Sequence, residues 1–107
     1  MRLVIKAGVG GLWWTLVRSA EDDRPLARGV GPCRDVDGCH AAVSVLSGPA
    51  LHKSASQVED QRWRWQVADA QGTVVAESAD TFDSAAECGY ALYELRHQLA
   101  RGGLVAR

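Results

Sequence analysis

Two stretches of the chain alternate apolar and polar residues with a period of two, and each precedes a stretch in which apolar residues recur every three to four positions. Leu12, Trp14 and Leu16 alternate with Trp13, Thr15 and Val17, and later Trp63, Trp65 and Val67 alternate with Arg64, Gln66 and Ala68. Strand side chains point to opposite faces in turn, so Leu12, Trp14, Leu16, Trp63, Trp65 and Val67 are expected in the core. Strands are predicted over Arg2 to Lys6, Leu12 to Arg18 and Pro25 to Arg28, with Gly8-Val9-Gly10-Gly11 as the first turn. Trp63 to Ala68 and Thr73 to Ser78 read as a hairpin, because Asp69-Ala70-Gln71-Gly72 carries the Asp and Gly of a tight turn. His52 to Val58 stands where the second unit's first strand is expected, but it is polar and lacks clear alternation, so strand and irregular segment both remain open.

The helical stretches have recognisable starts and stops. Ser84-Ala85-Ala86-Glu87 is a capping box, in which a serine hydroxyl and a glutamate carboxylate satisfy free amide donors at a helix start. Ala85, Cys88, Leu92, Leu95 and Leu99 form the stripe behind it, Arg96 and Arg101 stand near the C-terminal carbonyls, and Gly102-Gly103 ends it. A shorter helix begins at the cap Asp35, runs along Val36, Cys39, Val43 and Leu46, and ends at Gly48-Pro49.

Superposing Trp14 on Trp65, a shift of 51, and then Leu26 on Val75, a shift of 49 after two extra residues in the first copy's turn, aligns these elements as an internal repeat, with Cys39 over Cys88 and Cys33 over Phe82. The expected architecture is a single α+β domain over residues 1–107, in two layers. Tandem β-β-β-α units, 1–48 and 52–103, form an antiparallel sheet packed on two helices.

Composition removes whole classes of function without naming one. With 47% hydrophobic and 23% charged residues the chain is neither disordered nor membrane-spanning by sequence, since no apolar run approaches a bilayer's length. The formal net charge of −1 leaves neither half a basic arm. Three cysteines are an odd number and no secretory leader is legible, so a cytoplasmic protein with reduced thiols is expected.

The run Arg62-Trp63-Arg64-Trp65-Gln66-Val67-Ala68-Asp69-Ala70-Gln71-Gly72-Thr73-Val74-Val75-Ala76-Glu77-Ser78, followed by Phe82-Asp83-Ser84-Ala85-Ala86-Glu87-Cys88, resembles the YegP-like family of small bacterial and archaeal proteins. The shared pattern is a Trp-rich strand, a Gly turn, a Val-Val-Ala-x-Ser strand, an aromatic, and a Ser-capped helix containing a Cys. The close match covers about residues 62 to 95, and the first half joins it through the repeat. The resemblance implies duplicated β-β-β-α units with the sheet on one side and helices on the other. It implies no activity and carries over no site residues. The first half departs from the pattern, with Pro32-Cys33 against Thr81-Phe82, Arg28 against Glu77 and Gly29 against Ser78.

Candidate chemistry is sparse. Cys33, Cys39 and His40 make a C-x5-C-H group, but that spacing does not suit common zinc sites, and the repeat places Cys39 and Cys88 on buried stripes. His40, His52 and His97 fall on three different elements without a nucleophile motif. The glycines at 8, 10 and 11 precede a strand rather than a helix, so they do not make a phosphate cradle. No catalytic residue, metal or cofactor is indicated. Arg62 and Arg64 among tryptophans are the nearest approach to a nucleic-acid signature, yet strand phase puts them on the face opposite Trp63 and Trp65, which separates charge from stacking. Trp13 and Val17 share that outer face in the first half. Either a neighbouring loop or the Leu104-Val105 tail covers Trp13, or a partner does. The leading expectation is a non-enzymatic protein-interaction or homodimerising module that uses Trp13 and Val17. The alternative is a weak single-stranded nucleic-acid binder that uses Arg62 and Arg64.

Overall fold

The alternating stretches fold as six strands and the helical stripes as two helices in the computed structural model, which describes residues 1–19, 21–48 and 52–102. In chain order these are β1 (Arg2–Gly8), β2 (Gly11–Val17), β3 (Pro25–Gly29), α1 (Val36–Ser47), β4 (His52–Gln57), β5 (Trp63–Ala68), β6 (Val74–Ser78) and α2 (Ala85–Ala100). A short 3₁₀ turn, Glu59–Gln61, precedes β5. The protein is thus α+β, with one six-stranded antiparallel sheet in the order β1-β2-β3-β6-β5-β4. The centre of the sheet is the β3–β6 pair, where Ala27, Arg28 and Gly29 lie opposite Ser78, Glu77 and Ala76.

Both helices pack on one face. Cys39, Val43 and Leu46 of α1 and Cys88, Leu92 and Leu95 of α2 bury against Trp14, Leu16, Trp65 and Val67, with the small Ala27 and Ala76 in the middle of the sheet. Each helix starts as its cap residue dictates: Asp35 accepts from the Gly38 amide at 2.8 Å and Ser84 from the Glu87 amide at 3.1 Å. Among the described residues no helix is long and apolar enough to cross a membrane.

Some expectations shift. Leu12 and Trp63 are only half-buried, since each lies at or next to the start of its strand and bridges outward, Leu12 to Cys33 and Trp63 to Phe82. Val36 is 49% exposed and Ala85 is also exposed, since the first helical residue of each stripe projects beyond the sheet. His52 to Gln57 is a regular strand despite its polarity. It lies at the sheet edge with every residue exposed, so its polar side chains stay in water. Arg96 serves the neighbouring helix instead of its own end. It donates from Nε to the Leu46 carbonyl at 2.9 Å and from Nη2 to the Gly48 carbonyl at 3.1 Å, satisfying α1's C-terminal acceptors. Pro49, Gly103 and the Leu104-Val105 tail lie outside the described residues.

Candidate functional site

With both helices on one side, no described element covers the other face of the sheet, and register determines which side chains share it. One row crosses all six strands through Val4, Thr15, Arg28, Glu77, Gln66 and Ser54. Positions two residues away along each strand share this face, which adds Arg2, Lys6, Trp13 and Arg64. Trp13 stands directly opposite Lys6. Glu77 is the one carboxylate these strands place on that face, and it is already engaged: Arg28 Nε reaches Glu77 Oε2 at 2.7 Å and Gln66 Nε2 reaches Oε1 at 3.4 Å. Neither Arg2, Lys6 nor Arg64 forms an ion pair among the described residues. Arg2 and Arg64 are half-buried, and their Nε atoms are buried without a hydrogen-bond partner. A hollow of about 550 Å³ lies at the β1–β2 end of this face, lined by Arg2, Lys6, Trp13, Thr15, Val17 and the carboxylate-bearing Asp23.

Of the four residues singled out by sequence, two hold their expected place. Trp13 is 36% exposed. Its indole lies over Gly8, where an added Cβ would stand 2.7 Å from Cδ1, and its Nε1 donates to the Val9 carbonyl at 3.0 Å. The hairpin's own turn therefore satisfies the indole N–H and leaves an apolar ring surface outward. Arg64 sits on the open face, paired with Ser56. Val17 departs from expectation: it is on the same face but only 5% exposed, because the pairing of β2 with β3 shifts between Leu16 and Val17 and sets Pro25 opposite it.

Arg62 is the larger correction. It precedes β5 rather than belonging to it, and its guanidinium is committed to the loop before α2. It donates to Thr81 Oγ1 at 2.5 Å, the Thr81 carbonyl at 2.7 Å and Asp83 Oδ1 at 2.5 Å. It is a clamp between two segments, not a free cation on the sheet.

Cys39 of α1 and Cys88 of α2 are buried on the sheet-facing sides of their helices, and Cys33 is half-buried. Burial, reinforced by a hydrogen bond to Cys33 and by the nearby Cys33 and Asp35 charges, pushes the Cys39 thiol up to about 11. Burial also raises Cys88. His40, His52 and His97 are exposed and fall on α1, β4 and α2.

The stripe reading of α2 followed its buried side and passed over its solvent side. There Tyr90 and Tyr93 are 65% and 62% exposed. Their rings stack at 6.4 Å, and Tyr93 stacks on His97 at 6.0 Å. The spacing of 90, 93 and 97 along a helix was the available signal.

No family model matches the chain, and neither a curated protein nor a solved structure matches it.

Proposed function

We propose that the protein is a non-enzymatic binding module whose open sheet face takes single-stranded nucleic acid. The observation that carries this reading is the coincidence of Trp13 with Lys6, Arg2 and Arg64 on one face where the only strand-borne carboxylate is neutralised by Arg28. Strand phase had set Trp63 and Trp65 apart from the arginines, but Trp13 lies on the same side as the cations. An aromatic plate supports base stacking, and unpaired cations support phosphate neutralisation. The overall charge of −1 does not oppose this, since affinity follows the field of the contacting face.

The test is titration of a labelled oligothymidylate of about a dozen residues at several salt concentrations. With three free cations, log K should fall with log salt at a slope of about −2. Trp13→Ala should weaken binding by about 1–3 kcal/mol. Absence of binding at low salt, or a Trp13→Ala variant that binds like the parent, removes the reading.

A second reading, homodimerisation through the same face, rests on the same exposed ring. It ranks lower because a two-fold copy sets Lys6 and Arg2 against a like-charged surface. Sedimentation of the parent and of Trp13→Arg separates the two.

We also propose that the chain is a tandem duplication, 1–48 and 52–103, of the YegP-like kind, acting in the cytoplasm. Support comes from the element order, from the matching Leu12–Cys33 and Trp63–Phe82 bridges, and from the centre of the sheet. There the pairs Ala27–Ser78 and Gly29–Ala76 exchange under the shift that carries Arg28 onto Glu77, as residues do across a two-fold interface.

A further inference from the structure

A second surface lies on the helix side of the sheet, independent of the open face. Among the described residues strand β4 is the last in the sheet and pairs only with β5, so alternate backbone N–H and C=O groups along His52–Gln57 point outward. Beside that edge runs α2, and between them is a groove of about 210 Å³. Its floor is Ala55, Trp65 and Leu92, its wall is Tyr93, and Lys53 and Arg96 stand along it. Ala55 lies opposite Trp65, and Lys53 shares its side of β4 two positions away.

Gly89 makes this groove more than leftover space. A glycine inside a helix destabilises it relative to alanine and usually marks a close packing contact. Here a Cβ would meet nothing within 4 Å, so the fold gains nothing from its absence. What the missing side chain does is keep the groove open. Charge gives the groove a sign. Lys53 is exposed and has no ion pair among the described residues, and Arg96 is held by carbonyls rather than by a carboxylate.

We propose that this groove docks an extended acidic peptide, which adds to β4 as a seventh strand. Its main chain pairs with the free edge, one aliphatic side chain sits on Ala55, Trp65 and Leu92, and an Asp or Glu two positions away meets Lys53. Strand addition supplies affinity through the backbone, and the two inward side chains supply specificity.

The experiment pans a display library of random heptapeptides against the whole protein and measures the enriched peptides, synthesised with a fluorescent label, by anisotropy. The expected motif is an aliphatic residue and an acidic residue two positions apart. Gly89→Leu fills the groove while favouring the helix, so it should weaken binding at least about tenfold while the protein remains folded. Lys53→Glu should do the same and regain binding to the peptide whose acidic residue is changed to Lys. Failure to enrich any peptide, enrichment of peptides without the acidic residue, or equal binding by Gly89→Leu overturns the proposal. Oligothymidylate binding is unaffected by Gly89→Leu in either case, which keeps this test separate from that of the open face.

Discussion

The indole nitrogen of Trp14 lies 2.6 Å from where a Cβ on Gly29 would stand, whereas Ser78 approaches Trp65 through a hydroxyl that accepts from the Trp65 amide at 3.3 Å and donates to the Asp80 carbonyl at 2.7 Å. Two buried tryptophans are thus held by opposite means, one by an empty space and one by a satisfied polar group. Gly29→Ala should destabilise the protein by about 1–3 kcal/mol through overpacking. Ser78→Ala should cost about 1–3 kcal/mol by leaving buried backbone groups without their partner. Chemical denaturation reads both.

The tryptophans themselves anchor the core, each 1% exposed. Trp14→Ala and Trp65→Ala should each lose about 3–5 kcal/mol. A variant of either as stable as the parent would contradict the placement of both rings beneath the helices.

Arg62→Lys should cost about 1 kcal/mol, since a lysine keeps the charge but cannot reach Thr81 and Asp83 together. The decisive contrast is with Arg64→Glu, which should leave stability nearly unchanged and abolish oligothymidylate binding at moderate salt. If Arg62→Lys lowers that binding as much as Arg64→Glu does, Arg62 acts on the ligand and not as a clamp.

The thiols set a pH window. The folded-state pKa of Cys39 is about 11 against an ordinary 9.0, so above pH 9 the unfolded chain releases a proton that the folded chain retains. Stability from this group is complete below about pH 9 and declines as pH rises toward 11. Cys88 acts in the same direction. At neutral pH a thiol reagent should label the half-buried Cys33 first and reach Cys39 and Cys88 only as the protein unfolds, which mass spectrometry resolves site by site.

Asp60 and Gln61 both hold φ near 61°, a region that disfavours side chains. Gln61→Gly should raise stability by about 0.5–1 kcal/mol by relieving it. Thermal denaturation checks the sign.

Much of this arrangement was legible because it is local. Trp65 and Val67 declare their face by alternation, and Asp35 and Ser84 declare helix starts by side-chain chemistry within a turn. The order of strands was not legible, since β3 and β6 meet through residues far apart in the chain. The role of Arg62 was hidden for the same reason: Thr81 and Asp83 arrive from another segment. Net charge concealed the basic face, because summing over the chain erases where Lys6, Arg2 and Arg64 stand relative to Trp13. Val17 misled because a single shift in register with β3 covers a residue that simple alternation leaves open. Tyr90 and Tyr93 were missed because a search for core reads only the buried side of α2.

The seam at the centre of the sheet also bears on how quickly the protein folds. Hairpins β1–β2 and β5–β6 close through short turns, but no turn brings Ala27 to Ser78, so the entropy of a long loop falls on three residue pairs. Such non-local contacts slow folding relative to local ones. Substitutions at the β3–β6 seam therefore bear on the slow, non-local step of folding, while those in β1, β2, β4 and β5 bear on pairing that closes through short connections.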